Sequence, residues 1–390
     1  MKPSLLIISF SDILKDARVL KQVRAFASTY EVTTCGFGEP PVEGVEHIRV
    51  DPVAVSATRS VWSRALTALN LVMSRFHRFG GTYWRIPYVA SAGRLLGGRR
   101  FDAVLANDVD TVPIAIRLVG ASRVHADLHE YFPGLFDATT VLGRRQNAYL
   151  AWLVTRYAAR ASSSTTVSLG IAAAYKPFGL ACDVVTNATP FADLSPRPVG
   201  NPIRLVHSGI AQVSRELELT MRAVATSSSP VTLDLFLMPN DAVYLDRLRA
   251  LAGELGSRVR VLDPLPQSQL VTGLNDYDIG IFVLPPTSFN NANALPNKFF
   301  DFVQARLAII VGPTPDMAAL VRENGLGAVT GDFSIEAIQE TLNALTPEAV
   351  AAWKENSDAS ATRLSAISQT AVWVRALERL VPHKTLKDAS

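Results

Sequence analysis

The stretch NALPNKFFDFVQARLAIIVG, residues 293–312, carries the pattern on which the reading of the chain turns. Pro296 is followed at once by Asn297, Lys298 and Asp301, and then by an apolar run, Leu307 to Val311, that ends at Gly312. A proline suits the first turn of a helix, because its missing N–H would have no partner there. The expectation is a helix from Pro296 to about Gln304, with the free amides of Asn297 and Lys298 pointing outward. That end carries the positive pole of the helix, and the Lys298 ammonium adds to it, which makes an anion site. Asp301, three residues on, shares a face with Lys298 and is placed to bond ribose hydroxyls. LAIIV then reads as a buried strand that anchors the unit. Spacing alone slightly favours a plainer alternative, an exposed Lys298–Asp301 pair worth ~0.3 kcal/mol.

Outward from this stretch the same alternation recurs. On the C-terminal side of residue 203, IRLVHSG, VTLDLFLM, RVRVLDPL, YDIGIFVLPP, LAIIVGP and GLGAVTG are six strand candidates, with helical patterns between most of them, for example 216–226 and 315–323. The N-terminal side gives six more: 4–10, 31–35, 101–108, 123–130, 164–170 and 181–190. Residues 16–28 read as a helix with Val19, Val23 and Phe26 on one face. Strands alternating with helices imply parallel sheets covered on both faces. The fold class expected is α/β, with two Rossmann-like doubly wound domains facing a central cleft. The boundaries are an N-terminal domain 1–187, a Pro/Asn/Ser-rich linker 188–202, and a C-terminal domain 203–365. A last helix, 366–382, carries Trp373, Leu377 and Leu380 on one face and is expected to pack back on the first domain. Ligands of such folds bind beyond the carboxyl ends of the strands, so motifs just after strands deserve weight.

Bulk composition agrees. Of the 390 residues, 48% are apolar and 19% charged, enough for sizeable cores and too apolar for a disordered chain. No run of 18 apolar residues suggests a membrane span, and the N-terminus reads as a first strand rather than a signal peptide. Cys35 and Cys182 are far apart and read as reduced thiols of a cytoplasmic protein. Charge is uneven. Between Asp51 and Asp102 there are eight arginines and no acid, and residues 139–182 are again basic without an acid. Segment 59–100 mixes Trp62, Phe76, Tyr83 and Trp84 with those arginines. It suits an anionic membrane surface or an acidic or lipid-linked acceptor, against the equal alternative of a solvated basic face.

Three further motifs follow strands. VHSGIAQVSRE (206–216) offers Gly209, which lets a phosphate approach the backbone, and Arg215, which can clamp it with paired donors. ADLHEYFPG (126–134) offers His129 and Glu130, suited to a substrate hydroxyl or a proton transfer, or else to a structural histidine beside a capping glutamate. ANDVDT (106–111) offers Asp108 and Asp110, for sugar hydroxyls or, more commonly, helix capping. No third ligand stands close, so no metal is expected. SDILKDAR after the first strand has no glycine, which disfavours nicotinamide or flavin enzymes. No nucleophile elbow and no nucleic-acid motif is present.

Together these segments resemble a retaining nucleotide-sugar glycosyltransferase of the two-Rossmann (GT-B) type, family 4, over nearly the whole chain. The carriers are DARVLKQVRAFASTYEVTTCG, ANDVDTVPIA with HADLHEYFPG, DVVTNATP, VHSGIAQVSRELE, and above all ALPNKFFDFVQARLAIIVGPTPDMAALVRENGLGAVT. The resemblance implies a nucleotide-diphosphate sugar as co-substrate, no other cofactor, and no metal. In it Arg215 and Lys298 neutralise the diphosphate, helped by amides near Gly209, Pro296 and Asn297. Asp301 stands where the family has a second glutamate for the ribose, and Asn293 where it has the first. The lysine usual a few residues after Arg215 is absent, with Arg222 the nearest cation. His129 contacts the transferred sugar; Asp16, Asp108, Asp110 and Glu130 lie on the acceptor side. The implied acceptor is a cell-surface glycan or glycolipid, and the implied location is cytoplasmic, peripheral on the inner face of the plasma membrane. A nucleotide-sugar epimerase and a non-catalytic glycan- or nucleotide-binding relative are the alternatives.

Overall fold

The computed structural model describes residues 2–51 and 79–381. The first part of the basic 59–100 segment, with Trp62 and Phe76, lies outside the described residues. The chain forms two compact units. One takes its residues from Met1–Val167, Ile171–Val185 and Thr370–Ser390, the other from Ser168–Gly170 and Thr186–Gln369.

The first unit holds seven strands: β1 (Ser4–Asp12), β2 (Glu31–Phe37), β3 (Glu46–Arg49), β4 (Ala103–Asn107), β5 (Val124–Leu128), β6 (Ser163–Thr166) and β7 (Cys182–Val184). They pair in the order β3-β2-β1-β4-β5-β6-β7, every pairing parallel. Successive residues of β1 go to different cores, as a strand buried on both faces requires. Leu5 and Ile7 pack with Val19, Val23, Phe26, Trp373 and Leu377, whereas Leu6 and Ile8 pack with Val112, Ala115 and Phe101. The helix Ala366–Leu380 therefore belongs to this unit's core from Trp373 onward. Six strands were expected here and seven are found. The extra one, β3, is a four-residue edge strand whose ends, Glu46 and Arg49, are exposed, so it has no apolar run to announce it.

The second unit holds β8 (Ile203–Ile210), β9 (Val231–Met238), β10 (Val259–Leu262), β11 (Ile279–Phe282), β12 (Ala308–Val311) and β13 (Gly327–Val329). Their order is β10-β9-β8-β11-β12-β13, again all parallel. All six match the expected runs. Leu205, Ile279, Ile281, Ala308 and Ile310 face one core; Val206, Phe282, Ile309 and Val311 face the other. In both sheets the chain builds outward from the first strand to one side and then crosses to the other. The reversal falls between β1 and β4 in one sheet and between β8 and β11 in the other. Beyond the carboxyl ends at such reversals, neighbouring loops diverge and leave room for a ligand.

The helix in the opening stretch runs from Asn297 to Gln304. Pro296 is not its first residue, as expected, but its extended N-cap, because the first helical bond is Phe299 N–H to the Pro296 carbonyl. The exposed-pair alternative fails outright. Lys298 is 8% exposed and Asp301 5%.

Candidate functional site

In the second unit the site assembles from three chain segments at the carboxyl ends of β8 and β11. β8 delivers His207 and Gly209, the following turn delivers Arg215, β11 ends in Phe282, and the helix Asn297–Gln304 delivers Lys298. Lys298 Nζ lies 4.3 Å from the centre of the Phe282 ring, and the Arg215 guanidinium carbon lies 5.7 Å from the same ring. Both cations thus share one aromatic ring. A Cβ on Gly209, where φ is +148°, would sit 2.5 Å from Lys298 Nζ. The glycine therefore keeps open the space in front of the amine.

The electrostatics of this cradle are one-sided. His207 donates from Nδ1 to the Ile281 carbonyl at 3.1 Å, which leaves its Nε2 lone pair facing Lys298 Nζ at 3.4 Å. Burial and the neighbouring Lys298 hold His207 well below the ordinary histidine range, so it is neutral. Burial, then the Arg215 charge, drive the Lys298 amine well below the ordinary lysine range, only partly offset by Asp301. Arg215 is also lowered by burial, and its Nε–H is buried without a hydrogen-bond partner. Among the described residues neither cation forms an ion pair, although fifteen such pairs are present elsewhere. Among those residues Lys298 has only the neutral His207 Nε2 as an acceptor and Arg215 Nε has none; a buried donor left without an acceptor costs about 1–3 kcal/mol, more when charged, and an incoming anion removes that cost.

The remaining predicted residues of this unit sit around the cradle. Asp301 accepts a 2.5 Å hydrogen bond from the Thr189 hydroxyl, so it also fixes the segment that enters the unit. Asn297 is exposed at the helix start, and the amides of Asn297 and Lys298 precede the first helical bond. Asn293 follows the short helix Phe289–Ala292, and its Nδ2 donates to the Phe289 carbonyl at 2.9 Å. Arg222 is exposed on the helix Leu217–Thr226.

In the first unit the carboxyl ends of β1, β4 and β5 carry a second polar cluster. Its centre is Asp127, fully buried, which accepts from Arg18 Nε (2.8 Å) and Nη2 (2.6 Å), Gln22 Nε2 (2.6 Å) and Thr165 Oγ1 (2.6 Å). Burial would raise its pKa, but the Arg18 fork outweighs that and holds it well below the carboxylate range. Gln22 and Asn107 exchange two amide hydrogen bonds of 2.9 Å. His129 stands at the rim, with Nε2 3.5 Å from Asp127 Oδ2 and 3.3 Å from Asn107 Oδ1, and Nδ1 3.5 Å from Asp108 Oδ1. Burial lowers its pKa, yet Asp108 and Asp127 more than compensate, and the net shift is upward.

Asp108 adopts φ +64°, a conformation that aspartate tolerates better than most residues, and accepts the His129 N–H at 3.3 Å. Neither Asp108 nor Asp110 caps the next helix; Thr111 stands at its N-cap position and donates its hydroxyl to the Asn107 carbonyl at 2.7 Å. Burial and Asp108 push the Asp110 carboxyl up to about 7. Asp16 caps the helix Ala17–Phe26, accepting from Arg18 N and Val19 N at 3.1 Å each. Glu130 is exposed, and its carbonyl accepts the Tyr175 hydroxyl at 2.5 Å. Sequence reasoning missed Arg18, Gln22 and Asp127 here, and His207 and Phe282 in the other unit. Only His207 had an available signal, two residues before Gly209 at a strand end. Among the described residues no group of three or more His, Cys, Asp or Glu side chains is arranged to hold a metal ion.

No known protein-family profile matches the chain, and no curated protein matches its sequence significantly. Solved structures do resemble it. α,α-Trehalose 6-phosphate synthase from Burkholderia multivorans superposes with a TM-score of 0.66 at 11% identity, over 97% of this chain and 98% of that one. Sucrose-phosphate synthase from Thermosynechococcus elongatus gives 0.67 at 13% identity, over 97% and 98%. Anabaena HepE in complex with UDP and glucose gives 0.66 at 13% identity, over 96% and 99%. The chain shares their fold, two parallel-sheet α/β domains of the GT-B type.

Proposed function

We propose that the chain is a retaining glycosyltransferase that moves a sugar from a nucleotide-diphosphate sugar to a hydroxyl of a glycan, glycolipid or related acceptor. One observation carries the reading: Lys298 and Arg215, buried or half-buried and without an ion pair among the described residues, converge on the Phe282 ring beside Gly209 at the strand reversal of the second sheet. The fold is that of proteins solved with UDP and with UDP-glucose, which supports a nucleotide sugar as the partner.

The chemistry follows from those groups. Bond breaking at the anomeric carbon places charge on the departing diphosphate, and preorganised cations in a dry site stabilise it without reorganisation. Arg215 supplies paired donors, Lys298 a point charge, and the amides of Asn297 and Lys298 the helix pole. Asp301 is assigned to the ribose and Asn293 to a sugar hydroxyl. The acceptor hydroxyl enters on the face the diphosphate leaves, and its proton passes to the departing phosphate, so no strong enzyme nucleophile and no metal is required. His129, whose imidazole is held by acceptors on both nitrogens, is assigned to the transferred sugar, with Asp16, Asp108, Asp110 and Glu130 on the acceptor side.

The test is a thermal-shift titration with UDP, followed by a donor-hydrolysis assay with UDP-glucose. A ligand at 100 times its Kd stabilises by about 2.7 kcal/mol, and Lys298→Ala is expected to abolish that shift. Slow nucleotide release without acceptor supports the transferase. An isomerised sugar points to an epimerase, and tight binding without release to a non-catalytic relative. No shift with any nucleoside diphosphate overturns the reading.

A further inference from the structure

A cavity of about 610 Å³ opens in the second unit against β9 and β10, lined by Asp234, Phe236, Arg260, Tyr277, Arg204 and Asp276. It is not the cationic cradle. Its floor includes Asn201 and Pro202, just before β8, whereas Gly209 lies at that strand's carboxyl end. Pro202 lies roughly 23 Å along extended chain from Gly209, and at its other end the lining reaches Phe236, which pairs in register with Ser208, so the two sites differ in their residues and are neighbours along β9.

The charges of this cavity decide what it can hold. Arg260 grips Asp234 with two bonds, Nε to Oδ1 at 2.7 Å and Nη2 to Oδ2 at 2.6 Å, and the Tyr277 hydroxyl adds a third at 2.6 Å. Arg204 pairs with Asp278, and Asp276 with Arg197. Every charge in the lining is thus already matched, unlike the bare cations of the cradle. A phosphate or carboxylate ligand would find no uncompensated cation here. A purely apolar ligand would bury the polar edges of these groups without replacing their water. What remains is a neutral ligand rich in hydroxyls. Arg260 is among the lining residues and 64% exposed, so the part of its planar fork not engaged by Asp234 is free to solvent, and the ion pair holds it in one orientation. Phe236 and Tyr277, in edge contact at 6.0 Å, give apolar ring surface for the C–H face of a sugar. The volume falls within the range of formed ligand sites.

We infer that this cavity is a second ligand site that binds a neutral oligosaccharide segment, separate from the anion cradle and independent of the transferase reading. The test is saturation-transfer NMR and titration calorimetry on the full chain with maltopentaose, cellopentaose and a mannopentaose as probes. At least one is expected to bind, and Thr232→Trp, which fills the cavity wall, is expected to weaken that binding at least tenfold. Arg260→Lys keeps the charge pairing but loses the fork, and is expected to weaken binding several-fold. Both variants should retain the UDP shift, which separates failure of this site from failure of the cradle. Absence of binding by all three sugars, binding untouched by both variants, or preferential binding of a charged analogue such as a uronic-acid oligomer overturns the proposal.

Discussion

The two strand reversals of this chain handle buried charge in opposite ways. In the first unit, Arg18, Asp127, Gln22, Asn107 and His129 satisfy one another, so the cluster is complete without a ligand. In the second, Lys298 and Arg215 face a neutral His207 and a glycine, form no ion pair among the described residues, and have only the partial offset of Asp301. The difference teaches how to separate architecture from binding. A self-compensated network fixes geometry, whereas an uncompensated one stores a desolvation cost that only an incoming partner of opposite charge can return.

This contrast can be broken in several places. The largest effect is expected for Arg18→Ala, which leaves the Asp127 carboxylate buried without its bidentate cation. Urea denaturation should show a loss of about 3–5 kcal/mol, and a loss below about 1 kcal/mol would mean that the first network is not self-supporting. Next, Arg215→Ala should lower sugar-donor turnover at least tenfold, the equivalent of about 1.5–3 kcal/mol of charge-assisted contact, while the melting temperature holds or rises. Unchanged kinetics would remove Arg215 from the site.

Smaller effects sharpen the comparison further. Lys298→Met should stabilise the ligand-free protein by about 1 kcal/mol or more while eliminating UDP binding, because it trades a desolvated amine for an apolar chain. A destabilised apo protein would show that the bond from Lys298 to His207 Nε2 outweighs the cost of burying the amine. Burial and Arg215 weaken the hold of Lys298 on its proton, and an arriving diphosphate favours the charged amine, so binding is expected to be coupled to proton uptake and to weaken as pH rises. Calorimetry in two buffers of different ionisation enthalpy measures this, and equal apparent enthalpies would contradict it. The smallest effect concerns Asp110. Its folded carboxyl titrates near 7 against 3.8 for the ordinary group, so across that window the native state holds a proton that the unfolded chain has released. Stability therefore falls as pH rises through the window and is level above it. Asp110→Asn should flatten the slope and add about 1 kcal/mol at pH 8; an unaltered profile would show that Asp110 stays ionised.

Local pattern explains what could be read in advance. The six strands of the second unit, three to eight residues long, fall on the runs read from the sequence. The helix starts at residues 17, 297 and 315 follow from capping and proline chemistry within a residue. β3 left no such trace, because an edge strand of the sequence EHIR needs only its neighbour's hydrogen bonds. Gly209 and Arg215 were legible from the end of a strand run and the turn after it, and Lys298 from the proline-led helix start, yet spacing slightly favoured placing Lys298 in solvent.

What the sequence by itself determined is the alternation of strand and helix, the two-unit division of apolar runs, and the residue types available at the strand ends. Hydrophobic period and turn chemistry are local, so they are written in consecutive residues. Only the tertiary structure decided which charges meet. Arg18 reaches Asp127 across 109 positions, and Lys298 reaches His207 across 91. Whether a buried charge is matched or left bare depends on distance and dielectric in the folded chain, which no short window of sequence contains.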